Sequence, residues 1–220
     1  MHNTVQNLIA IESKIKSNLD GHKINKLPKI IAVSKTFKID KILPLIDHGH
    51  IDFGENKIQE AVDKWTDIRS NNSNIKLHMI GKLQSNKVKF AVKLFDYIHS
   101  VDSEKLAKKI ADEQKKVNKK IKIFIQVNIG DENQKNGIAK DQIADFYKKC
   151  VDEFNLDIIG LMCIPPANTS PEIYFNKMKQ LNKSLGFREL SMGMSSDYIK
   201  AAENLSTYLR IGSSIFGERI

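Results

Sequence analysis

Arginine is almost missing from this basic chain. Of 35 Lys and Arg residues among 220, only Arg69, Arg188, Arg210 and Arg219 are arginine. The net charge of +9 therefore rests on lysines scattered from end to end. Lysine, asparagine and isoleucine are abundant together, which is a bias of the whole composition and not a patch shaped for phosphate backbones, so no nucleic-acid partner is expected. Cysteine is equally scarce. Cys150 and Cys163 offer neither a disulfide framework nor a metal-ligand spacing. The six histidines form no HExxH and no zinc-spaced pair with cysteine, so no metal is expected. No apolar run approaches the length of a membrane span. The N-terminal stretch MHNTVQNLIAIESKIKSNLD alternates polar and apolar residues at helical spacing and lacks the continuous apolar region of a cleavable leader, which points to a cytoplasmic protein with no membrane partner.

What is present is a repeating unit. Hydrophobic residues at 41% and charged residues at 28% match ordinary globular chains. Val5, Leu8, Ile15 and Leu19 mark one face of a first helix ending near Asp20-Gly21. Strand signals then recur at residues 30–36, 51–53, 76–80, 97–99, 121–127, 157–162, 189–192 and 207–211. Each is followed by a helical stripe or the start of one. After the first strand the stripe is Ile39, Ile42, Leu43 and Ile46; after the second, a Gly54-Glu55-Asn56 turn and an Asn56/Gln59 capping box lead to Ile58, Val62 and Trp65. Ser170-Pro171-Glu172 is a helix start opening a face of Tyr174, Met178, Leu181 and Leu185, and Ser196 is the expected cap of the helix after strand seven. Eight strands alternating with helices, with no hairpin signal, predict parallel βα units. An open doubly wound sheet is the alternative, but a GxGxxG after the first strand is absent and the unit count favours closure. The expected fold is α/β, a single (β/α)8 TIM barrel over residues 1–220, with an additional N-terminal helix covering its exposed side.

In such a barrel the chemistry sits at the C-terminal ends of the strands. The run IIAVSKT delivers Lys35 to that rim. A lysine placed where an apolar strand stops can be partly desolvated, which favours the neutral amine that forms a Schiff base. Strand seven delivers Ser191-Met192-Gly193-Met194-Ser195-Ser196, and strand eight delivers Arg210-Ile211-Gly212-Ser213-Ser214. Loops after strands seven and eight often bind phosphate, and these are small, hydroxyl-bearing and glycine-containing. A Schiff-base lysine facing a phosphate cradle implies pyridoxal 5'-phosphate. Arg210 would lie beside the ring, where a cation disfavours protonation of the pyridine nitrogen and weakens the ring as an electron sink; its other role would be a structural salt bridge. Two roles are open to His78, facing the site or sitting satisfied in the barrel wall, and two to Asn56, pocket or helix cap. Cys163 reads as a packing residue rather than a nucleophile.

The segments IAVSKT, DFGENKIQE, HMIGKLQSNK, QVNIGDENQKNGI, GLMCIPP, LSMGMSSDY and LRIGSSIFGER resemble the pyridoxal phosphate homeostasis protein family, over residues 29–219. That family is similar in fold to the N-terminal barrel domain of alanine racemase. The resemblance implies that Lys35 holds the cofactor, that Ser191, Met192, Gly193, Gly212 and Ser213 hold its phosphate, that Arg210 lies by the pyridine nitrogen, and that Asn56 and His78 line the pocket. It implies a protein that binds the cofactor reversibly, passes it to apo-enzymes and affects vitamin B6 and amino-acid balance, without catalytic residues of its own. The alternative is an amino-acid racemase. Two-base racemisation needs a proton carrier on each face of the α-carbon; in alanine racemase the second is a tyrosine from another domain of the partner subunit, and this chain ends where that domain would begin. No apolar stripe is left over once the barrel is built, so a monomer is expected. Two positions depart from the family: Lys57 stands where an aromatic is frequent, and Leu77 where Trp is frequent.

Overall fold

The structure, a computed structural model, describes residues 1–132, 136–167 and 169–218. Helix α1 (Asn3–Gly21) precedes eight strands: β1 (Lys29–Val33), β2 (Asp52–Glu55), β3 (Lys76–Met79), β4 (Tyr97–Val101), β5 (Lys122–Gln126), β6 (Asp157–Met162), β7 (Glu189–Ser191) and β8 (Tyr208–Ile211). Each pairs in parallel with the next, and β8 pairs with β1 to close the barrel. Between them run α2 (Ile39–Asp47), α3 (Ile58–Asn71), α4 (Val88–Leu94), α5 (Glu104–Val117), α6 (Ile143–Asp152), α7 (Pro171–Ser184) and α8 (Tyr198–Glu203), and α9 (Ser213–Phe216) follows β8. The expected (β/α)8 barrel is the observed one. Helix α9 is a single turn, and α1 packs beside α2, α8 and α9 to complete the outer ring over the β8–β1 side. Among the described residues no helix is long and apolar enough to cross a membrane.

The period-two alternation of the strands separates two cores. Outward residues such as Ile30, Ala32, Phe53, Leu77, Ile98, Ile123, Leu161 and Leu209 join the helix faces in one large apolar cluster. Inward residues Ile31, Tyr97, Phe124, Met162 and Tyr208 form a second, smaller cluster that fills the barrel itself. At full burial each large apolar side chain contributes about 1.5–3 kcal/mol, so the outer cluster dominates stability.

Four local expectations are corrected. The second strand extends through Glu55, where a turn was expected, because Glu55 points outward, is fully buried and accepts from Ser34 Oγ (2.8 Å), Lys64 Nζ (3.0 Å) and Trp65 Nε1 (2.9 Å). The Asn56/Gln59 capping box does not form: Lys57 occupies the N-cap of α3, and Gln59 Nε2 donates to Asp63 Oδ1 (2.9 Å) one turn along. Asp197, not Ser196, is the residue before α8, and its carboxylate turns back to accept from the Met194 N–H (2.6 Å). In α2 and α7 the buried faces are shifted in phase. Leu45 is buried and Leu43 exposed, while Phe175, Met178 and Asn182 lie deepest on α7 and Tyr174, Leu181 and Leu185 pack on its flank.

Candidate functional site

The C-terminal mouth of the barrel holds a cavity of about 600 Å³. Strand β1 brings Val33 and, two residues later on the same inward phase, Lys35, which is half-buried. Ser34, on the opposite phase, is tied outward to Glu55. Asn56 enters from the end of β2 and Ile80 from the end of β3. The loop after β7 contributes Met194, Ser195 and Ser196; β8 and the loop after it contribute Arg210, Gly212, Ser213 and Ser214. Phe37 and Ile164 complete apolar walls, with Phe37 stacked on Phe216 at 4.8 Å.

Among the described residues the lining carries two cations, Lys35 and Arg210, and no acidic residue. Arg210 is 5% exposed and held from below, with Nη1 donating to Ser191 Oγ (2.7 Å) and Nη2 to the Cys163 carbonyl (2.8 Å). Burial lowers its pKa from the ordinary arginine value. Among the described residues no carboxylate forms an ion pair with Arg210, so the salt-bridge role is not what holds it; its positive charge faces the cavity. Burial pushes the Cys163 thiol up to about 12, so this sulfur is no nucleophile and its carbonyl is the group in use.

The loops after β7 and β8 are pinned together. Ser195 Oγ accepts from the Gly212 N–H (3.2 Å) and, more loosely, from the Ser214 N–H (3.4 Å). Gly193 has φ +90°, and a Cβ there would lie 2.4 Å from the Cβ of Ala201, so only glycine lets the β7 loop turn against α8. The Gly193 carbonyl accepts from the Arg210 N–H (3.0 Å), joining the two loops a second time.

Of the nine residues singled out in the sequence, Lys35, Asn56, Arg210, Gly212 and Ser213 line this cavity together. Ser191 lies beneath it and reaches it through Arg210. Met192 points outward into the main core, and Gly193 takes part through its backbone. His78 does not line the cavity: it is fully buried lower in the barrel, with Nε2 2.9 Å from Asp52 Oδ1 and Nδ1 3.0 Å from His99 Nε2. That is the satisfied position in the barrel wall that was open to it from sequence. The apolar walls Val33, Ile80 and Ile164 and the pin Ser195 were not singled out. Strand phase signals the first two, since Val33 and Lys35, or His78 and Ile80, share one face.

Residues 7–220 match the family described as alanine racemase, N-terminal domain. A pyridoxal phosphate homeostasis protein of Pasteurella multocida is 34% identical over 97% of both chains. Another from Haemophilus influenzae is 35% identical over 99% of this chain and 96% of its own. Among solved structures, PipY of Synechococcus elongatus with pyridoxal phosphate bound superposes with a TM-score of 0.80 at 30% identity, covering 92% of this chain and all of that one. On sequence and fold alike, the chain belongs to the alanine racemase N-terminal domain family and, within it, with the pyridoxal phosphate homeostasis proteins.

Proposed function

We propose that this protein binds pyridoxal 5'-phosphate in the mouth cavity and serves to hold and release it rather than to run a reaction on it. The observation that carries this reading is the lining itself: two cations without an acid, apolar walls, and two serine- and glycine-bearing loops pinned to one another. That set fits a flat heteroaromatic ring carrying an aldehyde and a phosphate. Lys35 is the primary amine that would hold the aldehyde carbon as a Schiff base. Ser195, Ser196, Ser213 and Ser214 would supply neutral hydroxyl donors for the phosphate; behind them Ser191 holds Arg210, and the Gly193 carbonyl ties the β7 loop to β8. Arg210 would face the ring nitrogen as a donor, and Asn56 would bound the ring on the β2 side. The bound group supplies an electrophilic aldehyde and an electron-accepting ring.

What this chain's residues do is position and restrain. A guanidinium beside the ring nitrogen keeps a proton off it, which weakens the electron sink that racemases and decarboxylases use. Two-base racemisation also asks for a second proton carrier, and the cavity lining described contains no His, Tyr, Asp or Glu. Both features support a carrier over a racemase. The names of the relatives agree with a role in pyridoxal phosphate homeostasis. The wider reading is one cofactor-binding domain over residues 1–220, a cytoplasmic monomer, delivering the cofactor to apo-enzymes and so affecting vitamin B6 and amino-acid balance.

The deciding measurement is a visible spectrum of purified protein with pyridoxal phosphate, followed by borohydride reduction and peptide mapping. A new band and a reduced adduct confined to Lys35, lost in Lys35→Ala, are expected. Absence of a band, or an adduct spread over the surface lysines, would overturn the proposal.

A further inference from the structure

The barrel interior holds a polar line that a cavity at one mouth does not by itself require. Inward side chains of five strands run in sequence: Asp52 (β2), His78 (β3), His99 (β4), Ser191 (β7) and Arg210 (β8). Asp52 Oδ1 is 2.9 Å from His78 Nε2, His78 Nδ1 is 3.0 Å from His99 Nε2, His99 Nδ1 is 2.9 Å from Ser191 Oγ, and Ser191 Oγ is 2.7 Å from Arg210 Nη1. His78, His99 and Ser191 are fully buried. The line begins at the N-terminal mouth, where Asp52 borders a groove with Glu12, Lys16, Lys29 and His50, and it ends beneath the cavity at the other mouth.

Its direction follows from valence. A carboxylate only accepts and a guanidinium only donates, so Asp52 takes a proton from His78 and Ser191 Oγ takes one from Arg210; with both imidazoles neutral between them, His99 Nδ1 is an acceptor and receives the Ser191 hydroxyl proton. His99 then carries its proton on Nε2 and donates to His78 Nδ1. His78 in turn carries its proton on Nε2 and donates to the Asp52 carboxylate. Every proton has one place, and both imidazoles are neutral. Burial, then the neighbouring His78 and Arg210, hold His99 well below its ordinary pKa, and burial lowers His78 despite Asp52. Burial works to raise Asp52, but the hydrogen bond donated by His78 and the positive charge of Lys29 work against it, and the carboxyl lies below its ordinary value. The rings are held flat: His78 stacks on Tyr97 at 4.2 Å and 11°, and His99 on Phe124 at 4.3 Å and 24°. A chain of aligned donors is polarised along its length, so the carboxylate at one end strengthens the acceptor offered to the guanidinium at the other.

We propose that Asp52, His78 and His99 are positioning residues for Arg210, fixing through Ser191 the orientation of its guanidinium and coupling the carboxylate at one barrel mouth to the ligand site at the other. The coupling to ligand rests on the reading of the cavity as a pyridoxal phosphate site; the chain itself does not.

The test therefore has two parts. In protein without pyridoxal phosphate, side-chain nitrogen NMR is expected to find His78 and His99 neutral and protonated on Nε2 at pH 7.5. Asp52→Asn keeps an acceptor for His78 but removes the charge. It is expected to displace the resonances of His99 Nδ1 and of the Arg210 guanidinium, neither of which touches residue 52. An Nδ1-protonated histidine, or a response confined to His78, overturns the chain. With pyridoxal phosphate added, Asp52→Asn and His99→Gln are each expected to weaken binding by roughly five- to tenfold and to shift the visible band, at the low end of ordinary coupling magnitudes. Unchanged affinity and band in both variants overturn the positioning role. If wild-type protein takes up no pyridoxal phosphate, the cofactor reading falls while the NMR result still decides the chain. Should Asp52→Asn not fold, His99→Gln read at the Arg210 guanidinium gives the same decision.

Discussion

Thr36 occupies a backbone conformation that its own side chain opposes. Its φ of +68° lies in the left-handed region, where a β-branched residue is uncommon and costs about 1–3 kcal/mol. It is held there by two bonds: its N–H donates to Glu60 Oε1, and its Oγ donates to the Lys35 carbonyl (2.6 Å). The reverse bend at Thr36 ends the β1 phase directly after Lys35, so the lysine closes the strand's inward run and Phe37 reaches the cavity wall from the far side of the bend. Thr36→Gly would relieve the strain while removing the bond to the Lys35 carbonyl. Thermal stability of the variant is expected to rise or hold within about 1 kcal/mol, because relief of φ strain offsets glycine's greater chain entropy. Uptake of pyridoxal phosphate is expected to weaken. A melting curve and an absorbance titration check this, and a variant that loses several kcal/mol while binding normally would show that the bend is structural and unrelated to the lysine.

The β1–α2 connection is clamped as an element from α3. Lys64 Nζ donates to the Ser34 carbonyl (2.9 Å), to Glu55 Oε1 (3.0 Å) and to Glu60 Oε1 (3.0 Å), while Ser34 and Thr36 bond to Glu55 and Glu60 respectively. Both residues flanking Lys35 are thus tied to one ion cluster, whose Glu55 is buried and whose Glu60 reaches the surface. Lys64→Met leaves Glu55 fully buried with Ser34 and Trp65 as its described donors and no cation; removal of one partner of a buried pair costs about 3–5 kcal/mol. A urea midpoint lowered to that extent, with faster amide exchange at residues 34–37, is the expected outcome, and unchanged exchange would remove the clamp. Little of this was legible in sequence. The strands were, because runs such as Asp157–Met162 are apolar and bounded by turn residues, and so was the convergence of Lys35, Arg210 and the two serine loops on one rim. Glu55 was read as a turn residue because a lone glutamate after glycine gives no sign of a buried lysine nine positions on. Asp52 and His99 were passed over for a related reason. Their inward phase, two residues from Tyr97 in the case of His99, could be counted, but their partners come from strands distant in the chain. Pairings of that kind depend on barrel closure, which no local pattern encodes.

On the scale of the molecule, a barrel normally filled by branched apolar layers here has a polar axis, and that axis makes stability depend on pH near neutrality. His78 and His99 are buried and neutral, with pKa values lowered chiefly by burial, and His50, beside Asp52, is lowered by burial as well. In the unfolded chain each titrates near the ordinary histidine value of about 6.5. As pH falls through that value the unfolded state binds protons that the folded state does not, so stability rises with pH through the window beneath about 6.5 and levels off within about one unit above it. The limiting slope is about 1.4 kcal/mol per pH unit for each proton taken up on unfolding. Asp52 acts with the same sign at lower pH, since its lowered carboxyl contributes stability that is lost as pH falls through the carboxylate range. Urea midpoints measured at pH 7.5, 6.5 and 5.5 are expected to fall a little over the first step, where the unfolded histidines become half protonated, and steeply over the second. His99→Gln removes one of the titrating groups and is expected to flatten the fall from 6.5 to 5.5, even where the variant is less stable overall. A midpoint that stays level down to pH 5.5 in the parent protein would mean that these imidazoles can take up protons inside the folded barrel. That would contradict the neutral, one-directional chain on which the coupling between the two mouths depends.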